Sequence, residues 1–269
     1  MRLKALLFSS PLLLSFSSVA AQNEVTFGIG DLQDYTSPFF GLQYKRYFSD
    51  VPTDNQPHLI SPYLNKINSA YGRYFTTDIY DFYQAGGEWF IDDKWVVNAD
   101  LRFVDYDRTT ITAYQSADID VGYFISPKWQ VGIGNFYHFR ETRRVYYNSD
   151  DSVSTRTYSR YRNNLKLFTR YTNITGGSGW DIGAEVIFSG ELRTTVDARY
   201  FFNHDVSLNL TYLMKEDESD YRYEEGDVAE LTLDYWFTRN FSLQVGAGAR
   251  IGGDDDGLAT VTLTTSYRF

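Results

Sequence analysis

The sequence predicts an all-β chain: a transmembrane, antiparallel, up-and-down β-barrel of about fourteen strands, with twelve as the alternative count. Three observations point there. The C-terminal segment alternates with a period of two, placing Ala259, Val261, Leu263, Thr265, Tyr267 and Phe269 on one face. Thr260, Thr262, Thr264, Ser266 and Arg268 fall on the other. A period of two is that of a β-strand, and these two faces suit lipid and water respectively. The same pattern recurs along the chain with short connections and no helical stretch, which favours a sheet closed on itself. Aromatic residues make up 18% of the chain, with 23 Tyr and 20 Phe. Tyrosine in such excess suits membrane interfaces, where one end of the ring is apolar and the other wet.

The elements follow in order. Arg2 and Lys4 precede a largely apolar stretch from Leu6 to Val19, and Ser18-Val19-Ala20-Ala21 supplies small residues for cleavage. Residues 1–21 therefore read as a secretory signal peptide, cut after Ala21 or after Ala20, and 22–269 as the barrel. The apolar stretch is too short for a spanning helix, which needs about 20 residues. Val25, Phe27 and Ile29 begin a first strand, and Phe40, Leu42 and Tyr44 a second. Pro52, Pro57 and Pro62 then mark a long connection, because proline cannot donate to a sheet ladder. Two further strands cover 65–77 and 79–91; the count falls to twelve if any of these four fails to span.

From there the alternation is clearer, with strands near 95–106, 114–125, 129–141, 158–172, 180–188, 192–202, 206–215, 228–237, 240–251 and 258–269. Four turns look alike, centred on Asp92-Asp93, Ser126-Pro127, Asn203-His204 and Thr238-Arg239, each entered through aromatic residues. Aromatics flanking tight turns form an interfacial girdle, and short turns in such barrels are periplasmic, so these four share one side. The longer acidic connections, at 148–154, 215–227 and 252–257, belong on the other side. A spanning strand takes about 9–11 residues, so fourteen fit within the 248 residues after Ala21.

Composition narrows the function. There is no cysteine, so no disulfide framework. The formal charge of −10 becomes −12 once Arg2 and Lys4 leave with the signal, which argues against nucleic acid as a partner. Asp254, Asp255 and Asp256 are consecutive, unlike the alternating ligands of a calcium loop, and read as a solvated loop with no metal assigned.

The alternation sorts the charges by face. The inward set comprises Glu88, Asp100, Arg102, Asp118, Asp120, Arg140, Lys166, Arg170, Glu185, Arg193, Asp197, Arg199, Asp234 and Arg250, together with Asp181 and Arg268. Lysine or arginine facing lipid near mid-depth costs about 2–4 kcal/mol, so the segregation indicates a polar interior. Two accounts stay open: the charges pair across strands and brace the wall, or they line an aqueous pore and bias which ions pass. Arg140, with Arg160 and Arg162 on its neighbour, forms either an anion-attracting cluster or ion pairs with Asp118 and Asp120. A barrel hydrolase needs a serine beside a histidine, or Asp and His at the rim. His58 lies in the proline-rich connection, His204 in a tight turn, and His138 faces inward, where Asp118 or Asp120 is its only candidate partner.

A terminal strand ending in an aromatic residue such as Phe269 resembles the assembly signal of bacterial outer-membrane barrels. Tyr47-Phe48, Val51, Thr53, Pro57, Leu59, Pro62, Tyr63 and Leu64, followed by repeated hairpins, resemble a porin family of gammaproteobacterial outer-membrane β-barrels. The resemblance covers the whole chain after the signal. It implies the outer membrane of a Gram-negative bacterium and passive diffusion of small hydrophilic solutes or ions. The partners it implies are lipid, lipopolysaccharide and the barrel assembly machinery. It carries over no catalytic residue and no cofactor. The alternatives are a closed structural or surface-interaction barrel and an omptin-like or lipase-like enzyme. Trimeric general porins have more strands and a long constriction loop in the lumen, for which this chain looks too short.

Overall fold

The computed structural model describes residues 21–32, 38–52, 55–78, 80–106, 111–147, 153–189, 192–215, 227–251 and 257–269. Fourteen strands run in chain order. They are β1 (Asn23–Leu32), β2 (Pro38–Tyr47), β3 (Ser69–Thr76), β4 (Tyr80–Phe90), β5 (Trp95–Tyr106), β6 (Ile111–Ser126), β7 (Trp129–Tyr147), β8 (Val153–Thr175), β9 (Ser178–Phe188), β10 (Leu192–Phe201), β11 (Val206–Lys215), β12 (Asp227–Thr238), β13 (Phe241–Ile251) and β14 (Gly257–Arg268). One short helix, α1 (Ser61–Leu64), interrupts them between β2 and β3. Each strand pairs antiparallel with its neighbours in sequence, and β1 pairs with β14 to close the barrel. Closure satisfies every wall strand on both edges through the membrane, which lipid demands because it offers no hydrogen bonds. All four early strands are paired into the closed wall, so the count is fourteen and the alternative of twelve falls.

The wall is apolar outside and polar inside. Phe27, Leu42, Leu101, Ile119, Ile133 and Leu263 are exposed, whereas Gln84, Ser116, Gln130, Asn164, Lys166, Asn209, Thr232 and Asp234 are buried. In water this arrangement would be inside out; against lipid it leaves the apolar area in an apolar solvent. The alternation shows along β13, where Phe241, Val245, Ala247 and Ile251 are exposed while Ser242, Gly246 and Gly248 are buried.

Tight turns close one end with one device. Asp92 Oδ1 accepts from the amides of Lys94 (2.7 Å) and Trp95 (2.9 Å). Asn203 Oδ1 accepts from Asp205 and Val206 at 2.8 and 2.9 Å. Thr238 Oγ1 accepts from Asn240 and Phe241 at 3.2 and 3.1 Å. Ser126 Oγ accepts from the Lys128 amide at 3.3 Å. A short polar side chain at the turn entry thus replaces the missing ladder partner. The β8–β9 turn uses Gly176 and Gly177 at φ 59° and 82°, which glycine adopts without strain.

The wall is uneven at the opposite rim. β3 has 8 residues, whereas β7 and β8 have 19 and 23. The last β8–β9 pair is Leu165 with Phe188, so the β7–β8 hairpin stands above its β9 neighbour.

Candidate functional site

The lumen is the candidate site, and its turn-side end is crossed by the proline-rich segment between β2 and β3. The segment starts at the wall. The Phe48 amide donates to the Asn68 carbonyl (2.9 Å) and the Val51 amide to the Ala21 carbonyl (3.1 Å). Tyr47, Val51 and Ile67 pack as a small buried cluster. Pro62 occupies the first turn of α1, where a missing N–H costs no helical bond. The helix then presents Tyr63. Its ring packs edge-on against Phe90 of β4 (6.1 Å) and tilted against Phe124 of β6 (6.0 Å). Its hydroxyl donates to Gln130 Oε1 of β7 at 2.9 Å, and the Arg170 guanidinium of β8 lies 3.5 Å from the ring centroid.

The other shoulder of the segment reaches the far wall. The His58 amide donates to the His204 carbonyl at 3.0 Å. His58 Nε2 lies 3.3 Å from Asp205 Oδ1, and its ring packs on Trp236 of β12 at 5.7 Å. Arg268 Nη1 of β14 donates to the His58 carbonyl at 2.6 Å while its Nε holds Glu24 of β1. One connection therefore touches strands on opposite sides of the barrel. Above it a cavity of about 240 Å³ lies between Ile60, Pro62 and Tyr63 and the wall residues Lys45, Glu88 and Arg199.

Burial holds two groups of this plug neutral. It pushes the His58 imidazole below its ordinary value; Asp205 opposes this, and Arg268 and His204 add to it. His58 Nδ1 is buried and has no hydrogen-bond partner among the described residues. Burial also raises the Tyr63 phenol to about 12, against the pull of Arg170.

Around the lumen, the charges gather into separate clusters. Lys166 Nζ bridges Asp118 and Asp120, at 2.7 Å to each. It reaches across β7 because Gly134 stands directly between: a Cβ there would meet Asp120 Oδ1 and lie 2.9 Å from Lys166 Cε. Arg170 holds Asp181 with two parallel bonds of 2.8 Å, and Thr172 Oγ1 adds a third at 2.7 Å. Arg199 pairs with Asp234 and donates to Ser207 Oγ at 3.0 Å. Asp100 takes the Tyr71 hydroxyl and Gln84 Nε2, the latter at 2.6 Å. Asp197 accepts from Thr211 at 2.5 Å. A second cavity, of about 310 Å³, is lined by Arg170, Asp181, Gly183, Asp197, Arg199 and Asn209.

The register places Glu88, Asp100, Arg102, Asp118, Asp120, Arg140, Lys166, Arg170, Glu185, Arg193, Asp197, Arg199, Asp234 and Arg250 on the strand face opposite the exposed apolar residues. Pairing of the Arg140–Arg160–Arg162 group with Asp118 and Asp120 is corrected: both carboxylates are taken by Lys166, which lies closer along the strand. His138 likewise stands apart from them, between Tyr114 (6.0 Å) and Phe136 (5.7 Å). Residues 1–20 of the expected signal and Asp254–Asp256 lie outside the described residues. Sequence reasoning missed Tyr63, Gln130, Lys45 and Tyr71 as interior residues. A signal existed for the plug: a connection this long, with three prolines, at the end where every other connection is a tight turn. An inward-folded segment is present after all, but it comes from the turn side.

No family model and no curated protein sequence matches the chain. Among solved structures, the barrel resembles the Acinetobacter baumannii outer membrane protein Omp33, with a TM-score of 0.67 at 16% identity, over 93% of this chain and 98% of that one. It also resembles TodX, a monoaromatic hydrocarbon channel, in a deltaS2S3 mutant form. That match has a TM-score of 0.50 at 10% identity, over 97% of this chain and 92% of the other. At such identities the likeness defines the fold: a closed, fourteen-stranded antiparallel barrel of the outer-membrane type.

Proposed function

We propose that this protein is an outer-membrane channel for passive diffusion of small hydrophilic solutes or ions, held shut at its turn side by the segment between β2 and β3. One observation carries the reading. The interior keeps polar cavities walled by charged residues, of about 310 Å³ between Arg170, Asp197 and Arg199, where a purely structural barrel would be filled by close-packed side chains. The likeness to outer-membrane barrels supports a place in lipid and lipopolysaccharide, and residues 1–21 as an export signal. Phe269, exposed beside β14, is the feature through which the barrel assembly machinery would engage the chain. Transport needs no covalent chemistry, so the reading is non-enzymatic. The ion-paired interior favours a second reading, a permanently closed structural or surface-interaction barrel. Conductance in planar bilayers separates them. Discrete steps that lengthen or grow when the plug is weakened support the channel; silence from both the native chain and a Tyr63→Ala variant assigns the closed barrel.

A further inference from the structure

We propose that the lumen-facing side of the tall β7–β8 hairpin is a capture site for small multivalent anions, with Arg160 and Arg162 as its binding residues. The site deepens the channel reading by naming the solute class that the outer mouth would gather.

Residues directly opposite on adjacent strands share a face. One row across β8, β7 and β6 is Arg160–Arg140–Tyr114; the next is Arg162–His138–Ser116. Arg156 falls on the same face of β8, while Glu141 falls on the other. Below them come Asn164–Phe136–Asp118 and then Lys166–Gly134–Asp120. Arginine directly opposite arginine is an unfavourable pairing in a sheet. Acid partners were available two and three rows down, yet Lys166 holds both of them. Among the described residues no carboxylate makes an ion pair with Arg160 or Arg162. In the Arg162 row, Ser116 Oγ and His138 Nδ1 are buried and have no hydrogen-bond partner among the described residues. Two cations without an acid partner thus stand in neighbouring rows of one lumen-facing patch.

Depth and facing identify the ligand class. Arg140 lies eleven residues past Trp129. That is about 37 Å along the strand and about 28 Å in height at a tilt of about 40°, just beyond an apolar band of about 25 Å. Arg160, opposite Arg140, therefore sits at the outer mouth, and Arg162, one row lower at about 23 Å by the same measure, faces the lumen just inside it. They face the lumen, whereas the lipid-side face of the hairpin carries Tyr137, Phe139 and Tyr161. Lipopolysaccharide phosphates approach from the lipid side; a dissolved carboxylate or phosphate approaches from the mouth. Planar guanidinium groups match either oxyanion with paired bonds.

The test is calorimetric titration of the folded, detergent-solubilised full chain with citrate, using acetate at equal ionic strength as the monovalent comparison. Citrate should bind, acetate should bind far more weakly, and the citrate affinity should fall steeply as sodium chloride rises. Arg160→Gln with Arg162→Gln should weaken citrate about tenfold or more, while Arg239→Gln, on the opposite rim, should leave it unchanged. Citrate binding no tighter than acetate in the native chain, or unchanged in the double variant, overturns the proposal. So does retention of lipopolysaccharide that depends on the two arginines in the absence of citrate binding, which would assign them to lipid phosphate. Citrate binding by a barrel that never conducts keeps the capture site and removes the channel. Conductance without citrate binding does the reverse.

Discussion

Replacing Tyr63 by alanine should open the turn-side end of the barrel without unfolding it. The side chain makes four contacts that bind the plug to the wall: Phe90, Phe124, Gln130 and Arg170. The hydrogen bond to Gln130 is worth about 1 kcal/mol, the shielded cation–π contact about 1–2, and the aromatic pairs about 0.5–1.5 each. These are not additive, and roughly 3 kcal/mol is a cautious total. That corresponds to about a hundredfold shift from docked to released plug. Arg170 keeps its paired bonds to Asp181 in the variant, so the wall itself retains its ion pair. In planar bilayers the variant should show a much higher open probability or a larger unit step than the native chain. Protease sites within residues 48–68 should become accessible in parallel. If those sites become accessible and conductance stays as it was, the segment is not the barrier and the reasoning fails.

Acid should act in the same direction. His58 is held neutral by burial in the docked plug, so the docked state binds fewer protons than the released one. Docking is therefore strongest above the ordinary histidine value of about 6.5 and weakens as pH falls below it. Conductance should rise between pH 7.5 and 5.5, and His58→Phe should abolish that rise; a flat native profile would exclude the mechanism. Lys166→Met and Arg193→Gln should separate stability from selectivity. Lys166 is 3% exposed and clamps two carboxylates, so its loss should cost about 3–5 kcal/mol, read as a lower unfolding temperature in detergent. Arg193 is exposed, so its loss should leave stability within about 0.5 kcal/mol and move the reversal potential toward cations. Gly134→Val should mimic the loss of Lys166, because the new methyl groups displace Asp120 from the bridge. Mass spectrometry of the exported chain should find Gln22 or Ala21 as its first residue.

The wall was legible in sequence because its information is local. Alternation along Phe241–Ile251 decides which residues meet lipid, and each tight turn declares itself in a few residues such as Trp236-Phe237-Thr238. Strand ends were less legible where the strand leaves the membrane. β8 continues to Val153, above the expected start near 158, because a hairpin in water still gains from pairing even when neither face needs lipid. The plug was not legible because its contacts are non-local: His58 meets Asp205 and Arg268, and Tyr63 meets Gln130 and Arg170. No periodicity encodes those meetings. Facing was readable for the same reason that partners were not: a period of two assigns Asp118, Asp120 and Lys166 to one side, but which cation reaches the carboxylates depends on Gly134, a gap in the intervening strand.

The same gap explains how a polar interior stays stable without being rigid throughout. Lys166 is locked because glycine lets it cross a whole strand to two acids, and such a clamp, once buried, is costly to break. The plug is held otherwise. Its contacts include one aromatic ring, one neutral imidazole, a few bonds to carbonyls, a small apolar cluster and a solvent-exposed Lys66–Asp93 pair, each of modest strength. Arg170 and Arg268 serve both parts: each keeps an acid of the wall, Asp181 or Glu24, and offers its remaining surface to the segment. Release of the segment therefore leaves both Arg170 and Arg268 with their carboxylates. A barrel wired this way can move its plug while every charge pair of its wall stays made. That asymmetry also makes the two ends of the lumen independent. A double replacement at Arg160 and Arg162 should change what enters the mouth without altering the effect of Tyr63→Ala. Measured together, the two perturbations should be additive within about 0.5 kcal/mol, and a larger coupling would show that the ends communicate through the wall.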